Sequence, residues 1–345
     1  MKDEKIGIGI IGYGSITPFH VQSLLELDDC RLIAIQSSSK EKRQMIREKY
    51  DIIALETYDE LIKLDEIDLI IICTPSGFHL EPALASLQAG KHVAIEKPLE
   101  INTARCNQMI SASKKSGVSL SCIFQNRFSE NFLKIKNAVD SGKLGKLLLG
   151  NAYIKWKRDQ EYYDMSPWRG TIKGDGGAVL INQGIHTIDL LLHLMGQVNT
   201  VSGSIRTLTH DIEGEDVATA NLEFQNGALG TIEASTSLYH AFPEKIEIHG
   251  EDGSIILEGG EITYWNTKED GQLDLASKKS GSVSGANDPL AIDYKLHKNQ
   301  LSAIIKAIKQ GEKPPVNAQD ALRSVQLIQA IYESSDTGKK VKINV

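Results

Sequence analysis

Over the first third of the chain, short runs that are apolar at nearly every position alternate with longer stretches in which apolar residues recur every three or four positions. The runs at 6–11, 31–36, 69–73, 92–95 and 118–123 predict strands. Their continuous apolar character is that of strands covered on both faces. The stretches at 18–27, 40–50, 58–64, 80–89 and 103–116 predict amphipathic helices,. Gly90 and Gly117 close two of these, where a left-handed residue is favoured,. Such alternation is the rhythm of a parallel sheet with crossover helices.

Beyond about residue 124 the pattern changes. A helix predicted over 130–141 ends in Gly142-Lys143-Leu144-Gly145, and period-two alternation then dominates at 146–156, 200–206, 217–224, 229–235 and 245–249. These segments predict a sheet with one packed face. Gln225-Asn226-Gly227 and Glu251-Asp252-Gly253 read as hairpin turns,. One helix interrupts the sheet at 184–195, a Ser-, Gly- and Lys-rich stretch at 277–288 reads as a mobile loop, and helices at 293–309 and 318–334 close the chain. The expected architecture is α/β: a parallel-sheet domain over 1–123, then an α+β domain over 124–345 with a large, open, mainly antiparallel sheet. The terminal helices are expected to pack back on the first domain. An exposed face on such a sheet is costly in a monomer, which predicts a homodimer or homotetramer formed through it.

A length of 345 residues suits two domains of ordinary size,. The net charge of -7 argues against nucleic acid or an anionic membrane as partner, although a local basic pocket still permits an anionic small molecule,. The polar start Met1-Lys2-Asp3-Glu4-Lys5 predicts no signal peptide, and the longest apolar runs fall short of a membrane span,. Cys30, Cys73, Cys106 and Cys122 lack metal-type spacing, so they are expected to be reduced thiols of a cytoplasmic protein, with no metal site,.

Gly12-Tyr13-Gly14-Ser15-Ile16-Thr17 lies between a predicted strand and a predicted helix. Gly12 permits a tight turn and Gly14 a close approach of backbone to a pyrophosphate, with Ser15 and Ile16 at the helix N-terminus offering N–H groups to the phosphates. This is the pattern of a Rossmann dinucleotide site. Thr17 stands where that pattern has Gly or Ala, and Thr17-Pro18 suits an N-cap and first turn,. The ribose should be read at the end of the second strand, where Ser37, Ser38 and Ser39 carry no carboxylate and Lys40, Lys42 and Arg43 follow. The expected cofactor is NADP or NAD, with NADP favoured.

Two further segments carry chemistry. Glu96-Lys97-Pro98 follows a strand at the ligand-binding edge of the sheet,. Asn182-Gln183-Gly184-Ile185-His186 opens the helix of the second half, with Asp189 beyond it. In a helical turn Asn182 and His186 share one face, and Asp189 lies near the histidine, where it would fix the tautomer. Oxidising an alcohol requires a base for the hydroxyl proton and a donor for the oxygen as it becomes a carbonyl. A histidine and a lysine meet both needs.

The ordered set Thr74-Pro75-Ser76-Gly77-Phe78-His79, Glu96-Lys97-Pro98 and Asn182 to His186 resembles the glucose-fructose oxidoreductase/inositol dehydrogenase/rhizopine-catabolism family over essentially the whole chain. The resemblance implies a nicotinamide-dependent oxidoreductase. Thr74, Pro75 and His79 would wall the cofactor, together with Glu96 and Gln125, and Lys97 and His186 would form the catalytic pair with Asn182 orienting substrate. Asn182 departs from the commoner Asp of the pattern.

Within the family, Pro18-Phe19-His20, Gln125-Asn126-Arg127-Phe128, Gln160-Glu161-Tyr162-Tyr163-Asp164, Trp168-Arg169-Gly170-Thr171, Gly176-Gly177 and Asn182-Gln183 resemble the UDP-N-acetylglucosaminuronate 3-dehydrogenases. That likeness implies substrate contacts from Arg127, Tyr163, Trp168, Arg169, Asn182 and His186, with Arg158 a further candidate cation for a carboxylate and a diphosphate. The alternatives are an NADPH-dependent ketosugar or dicarbonyl reductase and an inositol-type dehydrogenase. A dinucleotide sensor without turnover is the reading from another class, and such a protein has little need of a Lys–His pair.

Overall fold

A computed structural model describes residues 5–273 and 293–343; the loop expected at 277–288 lies outside the described residues. The first elements in chain order are β1 (Ile6–Ile11), α1 (Thr17–Leu25), β2 (Cys30–Gln36), α2 (Lys40–Tyr50), β3 (Ile53–Leu55), α3 (Tyr58–Ile62), β4 (Leu69–Ile72), α4 (Leu80–Gln88), β5 (His92–Glu96), α5 (Thr103–Ser116) and β6 (Leu120–Ile123). Then come α6 (Glu130–Asp140), β7 (Leu147–Lys155), α7 (Gln160–Asp164), α8 (Ile185–Met195), β8 (Val198–Arg206), β9 (Val217–Phe224), β10 (Leu229–Ser235), β11 (Lys245–Gly250), β12 (Gly253–Glu258), β13 (Glu261–Thr267) and β14 (Gly271–Gln272). The chain closes with α9 (Tyr294–Gln310), α10 (Ala318–Thr337) and β15 (Val341–Lys342).

Two compact units result: Met1–Gln125 with Asp293–Leu322, and Asn126–Ile292 with Arg323–Val345. The division therefore falls twice, once near the boundary expected from the sequence and once inside α10.

The first unit holds a six-stranded parallel sheet in the order β3-β2-β1-β4-β5-β6. Strand order reverses between β1 and β4, and the carboxyl ends at such a switch point form the ligand crevice of open parallel sheets. Every residue of β4 is fully buried, as its unbroken Leu-Ile-Ile-Ile run predicts,. The apolar stripe of α9 joins this core, with Leu301, Ile304 and Ile305 packed among Ile8, Ile10, Val21 and Leu24. Each such side chain contributes roughly 1.5–3 kcal/mol by burial. The Gln300 amide also donates to the Cys122 carbonyl at 2.7 Å, pinning α9 to β6. All four cysteines are buried thiols.

In the second unit a nine-stranded sheet runs β14-β13-β12-β11-β7-β10-β9-β8-β15. Only β7 and β10 pair in parallel; the other neighbours are antiparallel. Ala152, Ile154, Ile232, Ile246 and Ile248 are buried on one face, and α8 packs against β7 and β11. The opposite face mixes charged pairs with apolar side chains, the exposed Leu149 and Leu229 standing across from each other. Tyr153 stands across from Glu233 and Lys245, and Lys155–Glu233 and Lys245–Glu247 ion pairs at 2.7 Å flank it. No helix among the described residues is long and apolar enough to cross a membrane.

Candidate active site

At the β1–α1 turn, Gly12 has φ +94°, and a Cβ there would lie 2.9 Å from the Cys73 carbonyl oxygen. Only glycine fits this approach. A Cβ on Gly14 would instead meet nothing within 4 Å, so the turn opens outward beside the α1 N-terminus, with Ser15 exposed and Ile16 half-buried. Thr17 is not the N-cap expected from the sequence: Ile16 holds that position and Thr17 is the first helical residue. Its fully buried hydroxyl donates to the Gly12 carbonyl and accepts from the Gly14 N–H, both at 3.1 Å. The threonine thus braces the turn from inside. Open glycine backbone, a braced turn and a helix N-terminus fit a dinucleotide diphosphate.

The ribose edge is built from β2. Gln36 accepts from the Gly12 N–H through its side-chain oxygen at 3.2 Å and donates to the Glu56 carbonyl at 2.8 Å. Ser37 is buried, Ser38 exposed, and Ser39 caps α2 by accepting from the Lys42 N–H. Arg43 holds the loop from beneath, donating to the Ser37 and Ser38 carbonyls at 2.9 Å and pairing with Glu56 at 3.0 Å. Lys42 reaches the Tyr13 carbonyl at 2.9 Å.

Two loops at the carboxyl edge are fastened together by His79. It is buried, with one ring nitrogen 2.9 Å from the Thr74 carbonyl and the other 3.0 Å from that of Pro98. The structure therefore gives His79 backbone partners on both sides. Glu96 is also committed: His20 lies 2.6 Å from its Oε1, and its Oε2 accepts from the Lys97 N–H at 3.2 Å. Burial opposes charge on both members, yet Glu96 stays ionised, pulled down to about 2 by His20. His20 is held up at about 10 against the same burial, by Cys73 and by Glu96, of which the carboxylate at 2.6 Å is the partner the geometry supports. His297 on α9 completes a buried cluster, 3.7 Å from Glu96. A direct 2.6 Å contact is shorter than the about 3.3 Å between two ligands on a tetrahedral zinc, so this is an ion pair and not a cation cage,. Lys97 is half-buried beyond this anchor, and Gln125 is buried.

In the second unit, residues Val179–Gln183 form a π-helical turn ahead of α8, where the Gly184 N–H reaches back to the Val179 carbonyl at 2.7 Å. Such turns are unstable alone and recur at functional sites. Glu215 supports this one: its carboxylate accepts from the Ala178 N–H at 3.1 Å, the Leu180 N–H at 2.8 Å and the Tyr332 hydroxyl at 3.0 Å. Burial lifts its pKa to about 7 despite these donors. Asn182 is half-buried in the π turn and donates to both oxygens of the buried Asp175, at 2.9 and 2.8 Å. His186, also half-buried, sits in the first turn of α8.

Two expectations for this unit are corrected. Arg127 is nearly buried and makes a bidentate ion pair with Asp189, at 2.7 and 2.6 Å, which occupies the face expected to meet an anion. Asp189 in turn receives Arg127 and the Ser324 hydroxyl. Tyr163 lies in the core, its hydroxyl 2.9 Å from that of Thr236. Its neighbour Tyr162 is half-buried. The Arg169 guanidinium lies 4.1 Å from the Tyr162 ring centre and 5.6 Å from that of Trp168, and Arg158 lies 5.3 Å from Tyr162. Arg169 donates to the Tyr162 carbonyl, and no carboxylate of the described residues pairs with it. Asp175, Glu215, Tyr162 and His297 were missed; for Asp175 a signal existed in Gly174-Asp175-Gly176-Gly177, a polar residue locked between glycines.

Residues 6–124 match the oxidoreductase family's NAD-binding Rossmann fold, and residues 132–256 match the GFO/IDH/MocA C-terminal domain. The chain is 30% identical over 343 residues to the myo-inositol 2-dehydrogenase of Thermotoga maritima, covering 97% of this chain and 98% of that one. It is 28% identical over 363 residues to the scyllo-inositol 2-dehydrogenase (NADP(+)) IolW of Bacillus subtilis, covering 99% and 97%. Among solved structures it is similar to the WlbA dehydrogenase from Bordetella pertussis in complex with NADH and UDP-GlcNAcA, with a TM-score of 0.87, 27% identity and coverage of 99% and 100%. The chain belongs to the GFO/IDH/MocA family and is an NAD(P)-dependent oxidoreductase.

Proposed function

We propose that this enzyme oxidises a secondary hydroxyl of an acidic nucleotide-sugar of the UDP-N-acetylglucosaminuronate type, or reduces the corresponding ketone. The observation that carries the reading is Arg169, a cation stacked on Tyr162 beside Arg158 and without a carboxylate partner among the described residues. A uronate or diphosphate is the counter-ion such a pair suits. The likeness to a dehydrogenase bound to UDP-GlcNAcA supports it. The inositol dehydrogenases among the relatives support the second reading, a neutral polyol as substrate.

Gly12, Gly14, Ser15 and Ile16 would hold the cofactor diphosphate, Ser37 and Ser38 the ribose, and Thr74, Pro75 and Gln125 the remaining wall. NADP(H) would be accepted at least as well as NAD(H), because residues 37–39 bring no carboxylate against a 2′-phosphate,. When bound, the nicotinamide exchanges a hydride with the substrate carbon. Lys97 holds and polarises the oxygen on that carbon, its backbone fixed by Glu96 and the buried His20. His186 takes the hydroxyl proton in oxidation and returns it in reduction. Asn182 orients the reacting group. Glu96 and His79 hold the Lys97 loop instead of touching cofactor, and Arg127 holds α8 through Asp189.

Steady-state kinetics on UDP-N-acetylglucosaminuronate, UDP-N-acetylglucosamine and myo-inositol, with both nucleotides, test the assignment. The acidic sugar should be preferred, and Arg169→Lys should raise its KM about 10-fold or more through loss of one charge-assisted contact, with cofactor affinity unchanged. Equal turnover of both UDP-sugars would remove the acidic substrate, and brisk turnover of myo-inositol alone would establish the second reading.

A further inference from the structure

We infer that Asp175 is a positioning residue: its buried carboxylate fixes the amide of Asn182 and ties it to the loop that carries Arg169. The inference rests on the reading of Asn182 as part of the catalytic group. A carboxylate facing a packed amide accepts only, so the nitrogen of Asn182 must be the atom turned toward it. Both distances agree, with Nδ2 at 2.9 and 2.8 Å from the two oxygens. The carbonyl oxygen of Asn182 is thereby turned away from Asp175, and the residue presents an acceptor, as an aspartate would at the same place.

The negative charge that Asn182 lacks is carried one hydrogen bond further back. Asp175 is itself held in place. It is 1% exposed, its Oδ2 also accepts from the Gly170 N–H at 3.1 Å, and its own N–H donates to the Thr171 carbonyl at 3.0 Å. Gly170 directly follows Arg169, so one carboxylate sets both the amide of the π turn and the end of the arginine loop. The arrangement explains how asparagine serves where an aspartate is commoner in the family: the orientation is imposed from behind, not chosen by the amide.

The test compares Asp175→Asn, Asn182→Asp and the exchanged double variant with wild type and with His186→Ala, using the best substrate of the three-sugar panel. Asp175→Asn should lower kcat by about 10²-fold, the scale for a misplaced reacting group, with cofactor Kd and KM near wild type. Asn182→Asp sets two carboxylates face to face, so its activity should become dependent on a shared proton and recover as pH falls. The exchange restores one amide and one carboxylate and should regain at least about ten-fold over Asp175→Asn, on the same physical scale. Wild-type kcat in Asp175→Asn, or an exchange no better than that single variant, would overturn the inference. Full turnover in His186→Ala would overturn the catalytic reading alone. The side-chain amide resonances, assigned by their loss in Asn182→Asp, then decide the pairing: slow hydrogen exchange that speeds up in Asp175→Asn supports it, and equally fast exchange in both overturns it.

Discussion

Thr17 and Arg43 show how much one side chain can change the reading of a motif. The threonine departs from the glycine pattern, yet its buried hydroxyl binds the turn at both glycines. Arg43 looks like a solvated cation beside the ribose loop, but it spends its donors on the Ser37 and Ser38 carbonyls. The proposed acceptance of a 2′-phosphate therefore rests on the missing carboxylate at residues 37–39 more than on the cations of α2. Ser37→Asp should shift preference toward NAD(H) by about ten-fold or more, by repelling the phosphate and giving the ribose hydroxyl an acceptor. Equilibrium titration with all four nucleotides checks this; a wild type that binds NAD(H) far more tightly than NADP(H) contradicts it. The glycine turn was legible because its chemistry depends on residue type and spacing. The choice between Tyr162 and Tyr163 was not, because adjacent residues of one short helix differ only in which face meets the core. Arg127 misled for a related reason: a guanidinium's partner 62 residues away leaves no local trace.

Among the elements, the segment at 182–186 was expected to open the helix, but its π geometry leaves no mark in the sequence, since it is supported by Glu215 from another part of the chain. That support has a measurable signature. Burial raises the Glu215 pKa from its ordinary 4.5 to about 7, so the native state holds this proton more tightly than the unfolded chain does. Its contribution to stability is fully present below the ordinary carboxyl pKa and is lost as pH rises through about 7,. A tenfold difference in proton affinity between the two states is worth about 1.4 kcal/mol. Denaturant unfolding at pH 5 and pH 8 should show wild type losing a few kcal/mol relative to Glu215→Gln across that interval, on the same scale. Parallel pH dependence in the two proteins would contradict the account. Strand β12 was implied by the hairpin turn at 251–253 but had no bounds of its own, because Ile255, Ile256 and Leu257 are apolar in succession, which erases the alternation that marked β9 and β10. The three-residue β3 is too short to carry a period at all.

For the whole molecule, the change of rhythm near residue 124 was legible because parallel and antiparallel sheets demand different periods. The packing of α9 on the first core was expected, but the second division inside α10 was not, since the amphipathic pattern runs unbroken through that helix. The open face of the second sheet could not be read either: the pairing of Lys155 on β7 with Glu233 on β10 is a matter of register between strands distant in sequence.

The central claim is the proposal that Lys97 and His186 are each required for turnover while neither is required to hold the nucleotide. Lys97→Ala and His186→Ala should each leave NAD(P)H affinity near wild type while turnover of the panel's best sugar falls by about 10²–10⁴-fold, the range for loss of an acid–base group. The most direct measurement is turnover of the full-length single variants alongside fluorescence titration of the reduced nucleotide. Intact cofactor binding with collapsed turnover in both variants is the predicted result. Wild-type turnover in either one, or no turnover of any sugar by the unmodified enzyme, would contradict it.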